Sequence, residues 1–411
     1  MTTPKSTPSS PSARTPHGAA EAQLLAVREV LAVVAHPDDE SFGLGALLAA
    51  FAEGGRRVRV LCLTHGEAST LGAGGDLGEI RAGELACATT ALGVDATVLE
   101  NWPDGHLAEQ DPAILRSVIE ANLQAADALT VFEPSGITGH PDHRRATALA
   151  TQVAAERGLL LLEWGIPETV ATQLRDEFGA PISGLDDDTL MSIPVDRSRQ
   201  WNAIACHTSQ DPTNPILARR LALTGGREWL RLRAAPFDAH LSHFVTQVAP
   251  LVHPDATTAG RHEVLDRLVG LAAIGPPVEL PDPDSTEGFT VHCLHDDPAG
   301  WTLAAVVTTA GGCTPPHDHT SWGAAATVSG IERNRRYAGT CPDSLEQIDE
   351  QLASVGGGYL FATADIHQAC DATGTATVSL HLLAAGGPDV QQRCHEPERT
   401  QPPTTARPPQ Q

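Results

Sequence analysis

The chain has 411 residues, 41% of them apolar and 19% charged, a composition that buries ordinary cores and excludes a disordered or collagen-like chain; the length implies two domains. Lys and Arg total 27 against 51 Asp and Glu, a net charge of −24, and so acidic a surface repels nucleic-acid phosphates and anionic membranes.

In chain order, residues 1–22 are rich in Pro, Ser and Thr, lack the apolar stretch of a secretory signal, and are expected to form a disordered arm. From 23 to 235, short apolar runs alternate with helical patterns. VREVLAVVA, VRVLCLTH, ATVLENW and ALTVFEP read as strands, with LGALLAAFAEGG and IRAGELACATTALG as helices between them that stop at Gly54, Gly55 and Gly93. This alternation predicts an α/β domain, a Rossmann-like parallel sheet with helices on both faces, whose chemistry collects at the carboxyl ends of the strands.

From 236 to 395 the texture changes. A helical segment over about 238–273 and a Pro-rich stretch precede β-like runs, FTVHCL, WTLAAVVTT, GAAATVSG, YLFAT and TVSLHLLA, which predict an all-β sandwich or barrel. Residues 396–411 are again Pro-rich and are expected to be disordered. Apolar runs reach only six or seven residues, as in Val30 to Ala35 and Ala46 to Ala52, against the roughly 20 that cross a bilayer, so no membrane span is expected. The eight cysteines are scattered and form no CxxC pair, which suggests neither a zinc knuckle nor a disulfide framework and fits a reducing cytoplasm.

Two constellations carry chemistry. AHPDDE (35–40) follows a strand and precedes a helix start, and GHPDH (139–143) follows another strand. Zinc takes nitrogen and carboxylate ligands and, in hydrolytic sites, keeps a position open, so His36, Asp39 and His143 are candidate ligands. Zinc lowers the pKa of its water toward about 7, which leaves Asp38 as the base. His140 is placed to polarise a substrate carbonyl or protonate a leaving amine, with Asp142 holding its imidazole charged.

The second constellation is PPHDHTSW, with His317 and His319 two apart and His367 following 48 residues later in ADIHQA. Strand alternation puts the first two imidazoles on one face. No acid lies in 320–331, so three neutral imidazoles would bind Fe(II), with zinc or manganese as alternatives.

The first half resembles the LmbE-like or PIG-L-type zinc N-deacetylases over about 27–222, in the two metal motifs and in THGE, IRAGEL, WPDGHL and RQWNAIACHTSQ. The resemblance implies zinc on His36, Asp39 and His143, Asp38 as general base, His140 as the charged partner of the tetrahedral intermediate, and Arg81 and Asp104 as sugar contacts. His207 in ACHTSQ either lies near the site or caps the preceding helix.

The second half resembles cysteine dioxygenase-type cupins, double-stranded β-helix proteins, in PHDHTSWG, SGIERNRRY, ADIHQA and TVSLHLL. That resemblance implies iron on His317, His319 and His367 and oxidation of a thiol by dioxygen to a sulfinate. Ser379 and His381 match the family's outer Ser-x-His-x-Tyr pattern, but Leu383 occupies the Tyr position. Ser379 with His381 is either a pocket pair or a buried pair, and Arg333 with Arg335 either binds a substrate carboxylate or is a solvated edge. Together the resemblances imply a bifunctional enzyme on small molecules, an N-acyl amino sugar or a thiol conjugate, with pairing of two chains through the cupin sheets compatible. A non-catalytic, ligand-sensing cupin is the alternative.

Overall fold

The computed structural model describes residues 23–70, 76–186, 188, 190–210, 213–234, 237–275, 288–339 and 344–385. The expected arm, the domain boundary at 235–236, the Pro-rich stretch PPVELPDPD over 276–284 and the tail lie outside them.

The first half is a seven-stranded sheet in the order β3-β2-β1-β4-β5-β7-β6. Its strands are β1 (Glu29–Val34), β2 (Arg57–Thr64), β3 (Ala96–Trp102), β4 (Ala128–Phe132), β5 (Leu160–Gly165), β6 (Met191–Pro194) and β7 (Arg227–Arg233). The helices are α1 (Gly45–Glu53), α2 (Leu77–Leu92), α3 (Pro112–Ala121), α4 (Pro141–Arg157), α5 (Glu168–Phe178), α6 (Ser198–Cys206) and α7 (Pro215–Thr224). β1 is buried along its whole length, as a strand covered on both faces must be. Val30, Ala32 and Val34 pack with Leu47, Phe51 and Leu85, whereas Leu31, Val33 and Ala35 pack with Leu115, Ile119 and Leu149. One strand thus feeds two cores through its period of two.

β1 to β5 are parallel, as expected, but β7 runs antiparallel to β5 and β6 antiparallel to β7. This antiparallel edge corrects the all-parallel expectation. The chain order reverses between β1 and β4, because β2 and β3 lie on one side of β1 and β4 and β5 on the other. Open α/β sheets place their sites at the carboxyl ends of such neighbours, and these are the ends that bear the two His-Asp motifs.

The second half opens on α8 (Phe237–Val248) and α9 (Thr258–Ala272). They replace the single helical segment expected there, because Pro250 and Pro254 stand between them and proline cannot continue a helix. Antiparallel strands follow: β8 (Phe289–Asp296), β9 (Thr302–Thr308), β10 (Gly323–Ser329), β11 (Ile331–Ala338), β12 (Glu346–Ser354), β13 (Gly358–Phe361), β14 (Ile366–Asp371) and β15 (Thr377–Leu383). They form a five-stranded sheet, β13-β10-β15-β9-β8, and a three-stranded sheet, β12-β11-β14. Val264, Leu268 and Leu271 of α9 pack on Ala324, Ala326, Leu380 and Leu382. The alternate residues of β15, Ser379, His381 and Leu383, therefore face away from the helices.

The absence of a disulfide framework expected from the sequence is corrected. Cys87 pairs with Cys206 and Cys313 with Cys370, while Cys62 and Cys293 are free among the described residues. Thiol titration of the denatured, unreduced chain is expected to miss the four paired cysteines and to recover them after reduction. Full thiol reactivity without reductant would contradict the pairing.

The two halves meet around Asp127, whose carboxylate accepts the Arg28 and Glu29 amides at 2.8 and 3.0 Å and Arg267 Nη1 at 2.9 Å. A cavity of about 80 Å³ lies beside it, lined by Leu160, His240, His243 and Phe244 among others. Burial, with His243 adjacent, pushes His240 down to about 4 from its ordinary 6.5. The unfolded chain therefore binds a proton near pH 6 that the folded chain refuses, so this stability is present above pH 6.5 and is lost as pH falls toward 4. His240→Gln is expected to remove about 2 kcal/mol of the destabilisation between pH 7 and 5. Equal losses in both proteins, read from urea midpoints, would refute this role.

Candidate metal centres

The first centre forms where β1 and β4 end. Asp39 folds back so that its Oδ2 accepts the Ala35 and His36 amides at 3.1 and 2.9 Å. The Pro of GHPDH starts α4, and His140 caps that helix by accepting the Asp142 amide on Nδ1 at 3.2 Å. Proline at the first helical position has φ preset for the turn. One helical turn then brings His143 to the edge of β1. His143 Nε2 lies 3.1 Å from both His36 Nδ1 and Asp39 Oδ1, and His36 Nδ1 lies 3.7 Å from Asp39 Oδ2. The His140 ring is beside them, its centroid 4.8 Å from that of His36 and 4.9 Å from that of His143.

The ring orientations come from outside the cluster. His143 Nδ1 donates to the Gly136 carbonyl at 3.1 Å. His36 Nε2 faces Asp104 Oδ1 at 3.0 Å and Asp142 Oδ2 at 3.4 Å. A carboxylate behind a ring nitrogen fixes the tautomer and leaves the other nitrogen free to bind a metal. Burial opposes the charged form of His36, yet the surrounding carboxylates raise it to about 10. Burial would raise Asp39, but His143 and His36 hold it well below the usual carboxylate range. Asp38 is pushed up to about 7 by burial and by Asp39, against the pull of Arg81. Burial, together with His36 and His143, lowers His140.

The second centre forms between the two antiparallel sheets. His317 lies in an isolated bridge to His367, with backbone hydrogen bonds of 2.9 and 2.8 Å in each direction. The Cys313–Cys370 disulfide joins the same two segments. His317 Nδ1 donates to the Pro315 carbonyl at 2.8 Å and His367 Nδ1 to Asn334 Oδ1 at 3.0 Å, while His319 Nε2 is 3.0 Å from His367 Nε2. The three rings offer one nitrogen each, all within 4.8 Å of one another. Burial keeps all three neutral, pushing His319 down to about 3, and neutral imidazole is the form that binds metals. His381 and Leu383 line the same small pocket.

A protein-family model described as PIG-L: GlcNAc-PI de-N-acetylase matches residues 31–154. The probable N-acetylglucosaminyl-phosphatidylinositol de-N-acetylase of Schizosaccharomyces pombe is 34% identical over 202 residues, covering 47% of this chain and 75% of that protein. The chain belongs to the PIG-L family. The 1D-myo-inositol 2-acetamido-2-deoxy-alpha-D-glucopyranoside deacetylase of Kineococcus radiotolerans is 34% identical over 181 residues, 35% of this chain, and the chain spans 50% of that relative's length. The crystal structure of the A40926 pseudoaglycone deacetylase Dbv21 aligns at 21% identity and a TM-score of 0.40, over 50% of this chain and 97% of that one.

In the PIG-L half, three expected roles meet a different geometry. Arg81, expected to contact sugar, is buried with Nη1 on the Gly66 carbonyl at 2.8 Å and Nη2 on the Pro37 carbonyl and on Asp38 Oδ2, the last at 3.0 Å. Asp104, also expected to contact sugar, points inward to His36 and accepts the Ala68 amide at 2.9 Å. Asp142, expected to hold His140, instead accepts the Gly105 and Leu107 amides at 2.8 and 3.0 Å and faces His36. Their direction is set by buried amides and by a ring, which residue spacing does not reveal. His207 follows α6 as its C-cap and is fully buried against Glu40. Glu40 lies within AHPDDE, where nothing in the sequence alone assigns it a role.

In the second half, Arg333 and Arg335 pair with Glu350 of β12 at 3.6 and 3.2 Å, and they do not face the histidines. Strand alternation turns Glu332 and Asn334 of β11 inward instead. Glu332, missed because it lies one residue beyond the acid-free stretch, accepts from Tyr359 and Ser379 and sits 3.3 Å from His381 Nε2. Ser379 Oγ is 3.0 Å from that same nitrogen. A phenol therefore joins this network from β13, although position 383 lacks one.

Proposed function

We propose that the chain is a bifunctional metalloenzyme whose first half removes the N-acetyl group from a soluble amino sugar and whose second half oxidises a thiol. The observation that carries the first reading is the convergence of His36 Nδ1, Asp39 Oδ1 and His143 Nε2 beside Asp38. Two imidazoles and a carboxylate with preset tautomers fit zinc. Zinc, when bound, supplies Lewis acidity toward the amide carbonyl and toward water.

The chain's own groups do the rest. Asp38, held by Arg81, takes the proton of the attacking water as the general base. His140 keeps Nε2–H free, because Nδ1 accepts the Asp142 amide, and donates a hydrogen bond to the developing oxyanion, while Asp38 passes the proton it took from water to the departing amine. The PIG-L relatives are named for N-acetylglucosamine linked to inositol. A net charge of −24 favours a free sugar conjugate over an anionic lipid surface. With zinc-loaded full-length protein, amine release from N-acetylglucosaminyl-inositol or a related N-acetyl amino sugar is expected. No release from any of them at stoichiometric zinc would overturn the reading.

For the second half, three neutral imidazoles fit Fe(II), and the cysteine dioxygenase-type cupin reading is supported by His381, which lines the same pocket as His317 and His319 and has Ser379 Oγ 3.0 Å from its Nε2. Iron, when bound, supplies the redox chemistry of dioxygen. Glu332 and Ser379 orient His381, lying 3.3 and 3.0 Å from its Nε2 at the pocket wall. Oxygen uptake with sulfinate formation from small thiols is expected of the iron-loaded full chain. Thiol binding without uptake would support a sensing module instead.

A further inference from the structure

Asp38 has φ 131° and ψ −28°, a backbone conformation that a residue with a Cβ rarely adopts. Such a conformation persists only where its surroundings enforce it. Three contacts do so here. The Asp38 amide donates to Glu40 Oε2 at 2.9 Å, and Arg81 binds both the preceding Pro37 carbonyl and the Asp38 carboxylate.

Glu40 is itself fixed from behind. Its Oε1 lies 2.7 Å from His207 Nε2 and accepts the Ser41 hydroxyl, and Glu40, Ser41 and His207 are all wholly buried. The His207 ring stands edge-on to Phe42. The two residues after it clamp Glu84 of α2, with Thr208 Oγ1, the Ser209 amide and Ser209 Oγ donating at 2.9, 2.8 and 2.7 Å. Cys206, immediately before it, is tied to Cys87 of the same helix. The loop bearing His207 is thus anchored to the helix that carries Arg81.

We propose that Glu40 and His207 are positioning residues, a buried pair that grips the Asp38 amide and so aims the Asp38 carboxylate at the metal-binding atoms. Neither residue touches the metal-binding atoms, and His207 acts through Glu40. The proposal rests on the deacetylase reading for its kinetic consequence and on the Asp38 backbone for its structural one.

The test uses zinc-loaded full-length protein and the variants Glu40→Ala, Glu40→Gln and His207→Gln. Glu40→Ala is expected to lower kcat for amine release about a hundredfold with KM nearly unchanged and zinc content intact, because misdirecting a general base forfeits much of its contribution. Glu40→Gln retains an acceptor for the Asp38 amide and is expected to recover part of the loss. In an Asp38→Asn background, Glu40→Ala is expected to add nothing, since both act at one point. Additive losses, zinc loss in step with rate, or kcat within twofold of wild type would overturn the proposal. Should the wild type release no amine, the deacetylase reading fails, and crystal structures then decide the positioning role. Asp38 is expected to relax to negative φ in Glu40→Ala, or in His207→Gln if the former does not fold, and an unchanged loop would overturn it.

Discussion

Asp38→Asn is expected to slow amine release about a thousandfold while zinc content and KM stay near wild type. General bases contribute roughly 10² to 10⁴ in rate, and the upper part of that range applies because the surrounding rings leave no second carboxylate free. Asp39 is engaged by two amides and His143, while Asp104 and Asp142 stand behind His36. Asparagine keeps the shape and an acceptor for Arg81, which now binds Asp38 Oδ2 at 3.0 Å, so loss of fold is not the expected cause. Measuring kcat, KM and bound zinc on one preparation checks this. Undiminished release would remove Asp38 as the base.

The second large effect is expected at the other centre. His367→Ala is predicted to abolish metal retention by the second half and with it any oxygen uptake, while amine release stays unchanged. His367 is fully buried, bridges the backbone of His317 and puts Nε2 3.0 Å from His319 Nε2, so nothing among the described residues replaces it. Its orienting partner gives a graded companion. Asn334→Ala removes the acceptor 3.0 Å from His367 Nδ1, and loss of such a partner lowers metal affinity by about 10- to 100-fold. Equal affinities in wild type and Asn334→Ala, measured by competition with a chelator, would contradict that orientation.

How much of this was legible in the sequence depended on whether a residue's role is local. The His-Asp motifs announce themselves because each sits directly after an apolar strand, and the crossover between β1 and β4 then brings them together. The face of Ser379 and His381 was readable from alternation with Val378, Leu380 and Leu382. Arg81 and Asp104 are sugar contacts only through the family resemblance, and their partners here, a carbonyl and a ring from distant turns, leave no trace in spacing. Glu40 and His207 lie 167 residues apart, and only the fold joins them.

β12 was missed altogether, since EQIDEQLAS carries little β-forming pattern. It is a strand because β11 offers Arg333, Arg335 and Arg336 to its Glu350 and Asp349, and opposite charges across strands stabilise the pairing. The cysteine pairs, separated by 119 and 57 residues, likewise follow from tertiary proximity, because connectivity cannot be read from spacing.

We propose that His36, Asp39 and His143 hold one ion and that His317, His319 and His367 hold another. Elemental metal analysis of the purified full-length chain, beside His143→Ala and His367→Ala, tests it most directly. Two ions per chain are expected, with each substitution removing one and leaving the other in place. A single ion, or loss of both on either substitution, would contradict the account.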